Sequence, residues 1–123
     1  MPTINGVNQK EGRNFEATEI KYQNNSRFAQ LQMNIARAYP TEAKVNSWIR
    51  TITLNRGKNI EIREKYQLKE MVKPTALNYL SPLNPEILKT GTIKLSKSQR
   101  PEESNYYLIY DGKIFDQSLN IFQ

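Results

Sequence analysis

Residues 48–68 decide the fold of this chain and read WIRTITLNRGKNIEIREKYQL. Apolar and polar side chains alternate on both sides of a central turn, as they do where successive residues point to opposite faces of a sheet. Residues 55–58 (NRGK) interrupt the alternation, and Gly57 permits the positive φ angle that a tight hairpin turn needs. The stretch therefore predicts an antiparallel hairpin in which Trp48 and Leu54 share a face.

Turn residues and alternation recur along the rest of the chain. Asn5-Gly6 lies between apolar residues and predicts a tight turn. Residues 15–22 favour a strand, and a slip in its apolar register between Ala17 and Ile20 indicates a bulge. From residue 29 to 35 apolar residues alternate with amides, so we expect one face in the core and the other in water. Further strands are predicted at 75–80, 92–95, 106–110 and 113–115.

The intervening segments have the composition of loops. Residues 39–43 (YPTEA) are consistent with one helical turn that has Thr41 as its N-cap, or with a crossover loop. Residues 81–85 contain two prolines, which favour loop geometry, and residues 96–104 are polar with one further proline. About eight short strands follow, without helical periodicity. We expect one all-β domain over residues 1–123, an antiparallel β-sandwich or two-layer sheet.

Composition excludes several classes of site. The chain of 123 residues contains neither histidine nor cysteine. Nucleophile pairs that depend on imidazole, and zinc sites built from Cys and His, are therefore excluded, and we expect no catalytic residue, metal site or cofactor in this chain. No apolar run approaches 18 residues, so no membrane span is expected. The first residues lack the features of a signal peptide.

The net charge of +6 favours a polyanionic partner, either nucleic acid, an acidic polysaccharide or an anionic membrane, and a solvated basic surface with no such partner is the alternative. Lysine and arginine are dispersed, with no run of five or six. Nucleic acid would be inferred from charge alone and is not the expected partner. Four residues are candidates to contact an acidic polysaccharide. Trp48 beside Arg50 could form a stacking platform for a sugar, although a core Trp in a central strand is the alternative. Arg56 and Lys58 at the hairpin tip could meet a sulfate or phosphate.

Two residue types could in principle supply acid–base chemistry. Glu61 and Glu64 lie on a strand that also contains Arg63 and Lys65, and Glu102-Glu103 lie in a loop shortly after Arg100, as solvated surface charges usually do. Tyrosine can act as a base where a nearby cation lowers its pKa. The seven tyrosines are more simply explained as packing residues of a sheet.

An ordered set of segments resembles heparinase II/III-family polysaccharide lyases. The set comprises residues 2–9 (PTINGVNQ), 38–40 (AYP), 48–57 (WIRTITLNRG) and 66–68 (YQL). The resemblance covers roughly residues 2–80, and the last forty residues match loosely.

The resemblance implies a β-sheet domain that lies C-terminal to a helical toroid in an enzyme that cleaves acidic glycans by β-elimination. It implies that the catalytic Tyr and His lie upstream, and that a metal-site histidine precedes the segment matching Pro2. No catalytic or metal-binding residue of the family is carried onto this chain. The chain is then expected to be a fragment of a lyase that is periplasmic or extracellular.

Two functions are consistent with these patterns. The first is a non-catalytic lyase β-domain that acts as scaffold, with the toroid and an acidic glycan as its partners. It predicts an exposed apolar face. The alternative is an independent carbohydrate-binding or adhesion β-sandwich, which predicts a closed polar surface with one aromatic-lined groove.

Overall fold

The computed structural model describes residues 1–96 and 105–112. They form antiparallel sheets of four and three strands, which confirms the predicted all-β class. The first sheet contains β1 (Thr18–Asn24), β2 (Phe28–Asn34), β3 (Val45–Asn55) and β4 (Asn59–Leu68), in that order. The second contains β5 (Asn84–Lys89), β6 (Thr92–Ser96) and β7 (Asn105–Ile109). The described residues thus hold seven strands, where about eight were expected for the whole chain.

The chain divides into two compact units, Met1–Tyr79 and Leu80–Gln123. The four-stranded sheet belongs to the first unit and the three-stranded sheet to the second. Two short 3₁₀ turns, Ala36–Ala38 and Thr41–Ala43, connect β2 to β3 in the first unit.

The predicted β3–β4 hairpin and its turn are confirmed, although β3 begins at Val45, three residues before the predicted start at Trp48. Its strands are paired from Asn55↔Asn59 to Val45↔Leu68, with one irregularity near Val45. Gly57 has φ +71° in the turn. Because directly paired residues of antiparallel strands share a face, the register fixes which side chains are neighbours across the sheet.

Two other local predictions are confirmed. Ile4 and Val7 exchange backbone hydrogen bonds of 2.9 Å around Asn5 and Gly6, whose φ angles are +51° and +77°. Positive φ at both central positions is the signature of a type I′ turn. The register slip in the first strand is a bulge between Thr18 and Lys21, and β1 begins only at Thr18.

Several predictions about the connecting segments are wrong. Residues 75–80 do not form a strand, since they contribute only an isolated bridge between Thr3 and Ala76. Thr41 does not cap a helical turn, because Pro40 precedes the 3₁₀ turn and provides no side-chain hydrogen bond. Pro85 lies within β5 rather than in a loop. An edge strand tolerates proline because its missing N–H can face away from the ladder.

The expected split of β2 into a core face and a water face is also wrong. All seven of its residues are half-buried. Asn34 on the amide face accepts hydrogen bonds from the backbone N–H groups of Ala36 and Trp48, at 3.1 and 3.2 Å. The predicted strand at 113–115, and nearly all of the loop at 96–104, lie outside the described residues.

The core of the first unit lies where the N-terminal turn and the 3₁₀ turns pack on one end of the sheet. Its buried members are Ile4, Ile35, Ala38, Tyr39, Ala43 and Trp48. Half-buried residues, including Met33 and Leu68, pack around them. This core covers the end of the sheet where β3 begins and β4 ends.

Candidate functional site

Trp48, Arg50 and Glu64 form a largely buried polar cluster on the covered end of the sheet. Arg50 and Glu64 are paired across β3 and β4, and one guanidinium nitrogen lies 2.6 Å from the carboxylate oxygen Oε1. The Trp48 indole N–H donates to the other carboxylate oxygen at 2.6 Å. The Glu64 side chain is only 8% exposed and that of Arg50 12%. Glu64 was expected to be a solvated surface charge, and that expectation is wrong.

The cluster leaves Trp48 without a free ring face. Trp48 is 1% exposed, and Tyr66, its partner on β4, stacks on it with ring centroids 4.4 Å apart. The alternative interpretation, a core Trp in a central strand, therefore describes this residue in the structure. Arg50 is neutralised by Glu64, so neither residue presents a free group to a sugar.

The charges of this cluster influence the pKa values of two nearby tyrosines, Tyr39 and Tyr79. Burial raises the pKa of Tyr39 to about 12, with a lowering influence of Arg50 and a raising influence of Glu64. Burial, followed by the charge of Glu64, raises the pKa of Tyr79. The Tyr39 hydroxyl donates a hydrogen bond to the carbonyl of Pro2. Both phenols are therefore neutral near pH 7, which is the opposite of the lowered pKa that a tyrosine base requires.

Arg56 and Lys58 are exposed at the tip of the β3–β4 hairpin, as predicted. Arg56 is held in place, because its Nη2 donates to the Asn24 side chain at 2.7 Å and its backbone N–H donates to the Arg27 carbonyl at 3.0 Å. Within the described ranges, the Lys58 ammonium has no ion pair or side-chain hydrogen bond. Of the four candidates, these two are accessible to an anion, and glycan binding by them stays a prediction.

A cleft of about 400 Å³ opens on another part of the first unit. It is lined by Lys10, Asn14, Phe15, Arg37, Tyr39, Pro40, Thr41 and Glu42. The Lys10 ammonium lies 5.4 Å from the centre of the Phe15 ring. Sequence reasoning missed this site, because its residues come from separate segments that share no motif.

The sheet also has an apolar region that the core does not cover. Tyr22, Leu31, Ile52 and Ile62 are successive partners across all four strands, and Ala29, Leu54 and Ile60 form the next row toward the hairpin tip. We call these two rows the apolar half-face. Ile60 is 67% exposed, Tyr22 67%, and Leu54 and Ile62 41% each. Large apolar areas left in water commonly mark interaction surfaces.

The opposite face of the same strands is polar. Gln32, Thr51 and Arg63 are successive partners there, as are Gln30, Thr53 and Glu61. The exposed apolar side chains are thus concentrated on one side of the sheet.

In the part of the chain that the structure describes, no group of three or more acidic, histidine or cysteine side chains could hold a metal ion. The same part contains no helix long and apolar enough to cross a membrane. No family model matches this chain, and no curated protein matches it. The resemblance to heparinase II/III-family lyases therefore depends on the segments quoted from the sequence.

Proposed function

We propose that this chain is a non-catalytic β-domain of a heparinase II/III-like polysaccharide lyase, with a structural role beside a helical toroid. The observation that carries the proposal is the apolar half-face, with Ile60 and Tyr22 each 67% exposed on a sheet whose other end is packed. An isolated binding module would be expected to cover these side chains. A domain that packs against another domain would leave them open when alone.

The proposed chemistry of the parent lyase is β-elimination on a uronate-containing polysaccharide. This chain would supply architecture and contacts to the acidic glycan through Arg56 and Lys58, and the proton transfers would belong to residues of the toroid. The absence of histidine and the raised pKa of Tyr39 support this division. A periplasmic or extracellular location is part of the same proposal.

The docking role can be tested with the helical domain of a heparinase II/III-like lyase prepared without its own β-domain. Isothermal titration calorimetry should detect association with this chain. Replacing Ile60 and Ile62 by serine should weaken it about 100-fold, since burying two isoleucines contributes about 3 kcal/mol or more.

The matched control is the double variant Arg63→Ser/Lys65→Ser, which changes the opposite face of the same strand. It should bind as the wild-type chain does. No association, or equal weakening by both double variants, would contradict docking through the apolar half-face. Release of unsaturated uronate from a glycosaminoglycan by the chain alone, followed by ultraviolet absorbance, would contradict the non-catalytic role.

The alternative function is an independent carbohydrate-binding or adhesion β-sandwich. The cleft that contains Lys10, Phe15 and Arg37 favours it, because an aromatic ring beside cations suits an acidic sugar. The exposed apolar half-face does not fit the closed polar surface that this alternative predicts.

A further inference from the structure

The cleft beside the first 3₁₀ turn is built from three segments of the first unit. The backbone N–H of Lys10 donates to the Ala38 carbonyl at 3.0 Å, which fixes the N-terminal segment against the turn that contains Arg37. The backbone N–H of Phe15 donates to the Gly12 carbonyl at 3.0 Å, and this turn returns the Phe15 ring toward Lys10. Backbone contacts therefore set the positions from which both cations and the ring extend.

The two cations of the cleft are not neutralised by neighbouring acids. Lys10 and Arg37 are exposed, and neither forms an ion pair within 4.0 Å among residues 1–96 and 105–112. Glu42 is the one acidic residue in the lining, so the lining has a formal excess of one positive charge. A carboxylate or sulfate can bind a guanidinium through two hydrogen bonds, and an ammonium adds a further charge-assisted one.

The rest of the lining suits a polar ring. Phe15 is half-buried, with the Lys10 ammonium 5.4 Å from its centre, so an anion bound by Lys10 lies next to an apolar surface. Asn14 and Thr41 are exposed in the same lining and provide amide and hydroxyl groups that can bond sugar hydroxyls. A volume of about 400 Å³ lies near the lower end of the range for small-molecule sites, which suits one sugar unit rather than a chain.

We propose that this cleft binds a single acidic sugar unit, with its anionic group between Lys10 and Arg37 and its ring against Phe15. None of the four residues that the sequence suggested lines this cleft, and the proposal does not depend on docking through the apolar half-face. Binding would give the isolated chain a carbohydrate specificity of its own. Because the cleft is open to solvent, the dissociation constant should be on the order of 1 mM.

Three probes separate the parts of the proposal in nuclear magnetic resonance titrations of the full chain. Glucuronate has both the ring and the carboxylate, glucose has the ring alone, and acetate has the carboxylate alone. We expect glucuronate to shift the backbone amide signals of the cleft residues, with an affinity at least about tenfold above either of the others. If acetate binds as tightly as glucuronate, the cleft is a simple anion site that does not recognise the sugar ring. If glucose binds as tightly as glucuronate, Lys10 and Arg37 do not contribute to binding. Either result would overturn the proposal.

Charge-removing variants test the assignment of residues. Arg37→Gln and Lys10→Gln should each weaken glucuronate binding about tenfold, while Lys65→Gln, the same loss of charge on the polar face of β4, should leave it unchanged. Retained dispersion of the amide spectrum checks that each variant is folded. Equal affinity in the cleft variants and the control, or no glucuronate-induced shift in the wild-type chain, would overturn the proposal. Calorimetry with Ile60→Ser/Ile62→Ser reports separately on the docking role. The proposal of sugar binding in the cleft and the proposal of docking can therefore fail independently.

Discussion

The side chain of Asn5 connects three segments that are distant in the sequence. Its Nδ2 donates to the carbonyl oxygens of Ala43 and Glu70, both at 2.8 Å. Its Oδ1 accepts from the backbone N–H groups of Val72 and Lys73 at 2.9 and 3.2 Å. The sequence identified this residue as part of a turn, and its φ of +51° agrees. Its four tertiary hydrogen bonds had no signal in the sequence.

Replacing Asn5 by alanine should lower the free energy of unfolding by about 3 kcal/mol. The change leaves backbone groups without partners in a buried place and adds strain at positive φ. Urea unfolding followed by the fluorescence of Trp48, the only tryptophan, measures the loss. Asn46→Ala, which removes one long and exposed hydrogen bond of 3.4 Å, is the control and should cost less than about 0.5 kcal/mol. Equal losses would show that the Asn5 side chain has no special role.

The buried pair of Arg50 and Glu64 gives a second expectation at this scale. Glu64→Ala should destabilise by about 3 kcal/mol, because it leaves the Arg50 charge and the Trp48 N–H without their acceptor. The double variant Arg50→Met/Glu64→Leu should be more stable than Glu64→Ala, since it removes both charges and retains apolar volume. A double-mutant cycle with the two single variants measures the coupling. If the losses in unfolding free energy of the two single variants add up to that of the double variant, the two charges do not depend on each other.

At the scale of elements, the β3–β4 hairpin is the part in which local sequence and tertiary structure agree most closely. The alternation of apolar and polar residues predicted both strands, and the turn residues predicted the connection between them. The same alternation did not indicate that only the Trp48 end of the shared face is packed. Coverage depends on the 3₁₀ turns that immediately precede β3 and on Ile4, which lies far from the hairpin in sequence.

The turn of this hairpin provides a test of backbone conformation alone. Gly57 has φ +71°, and a Cβ placed there would have no heavy atom within 4 Å. Gly57→Ala should therefore cost about 1 kcal/mol through the φ angle and not through crowding. Gly57→Asn should cost less than half as much, because Asn tolerates the left-handed region. Urea unfolding of both variants makes the comparison, and equal costs would contradict this explanation.

At the scale of the whole molecule, the first unit has its own core. Every buried member of the core cluster lies within Met1–Tyr79. We expect a fragment of residues 1–79 to unfold cooperatively and to retain the near-ultraviolet circular dichroism of Trp48, since the Trp48–Tyr66 stack is internal to this unit. Loss of that signal, or a gradual transition in urea, would contradict an autonomous first unit.

The same scale explains why the candidate sites were only partly predictable. Arg56 and Lys58 are accessible at the hairpin tip because a turn exposes its residues wherever it lies. The environments of Trp48 and Glu64 depend on contacts with other segments, and strand alternation cannot distinguish a paired carboxylate beneath a loop from one in water. Lys10 and Arg37 are brought together by a backbone hydrogen bond between segments 28 residues apart, from Lys10 to Ala38.

The amino-acid sequence by itself determined the all-β class, the β3–β4 hairpin and the Asn5-Gly6 turn, because alternation and turn preference act between near neighbours. Tertiary structure alone decided which half of the sheet is packed, which charges are buried, and where the cleft opens. Those features arise from contacts across 14 to 70 residues of chain, such as Arg50 with Glu64 and Asn5 with Thr75. Local residue preferences contain no information about such distances.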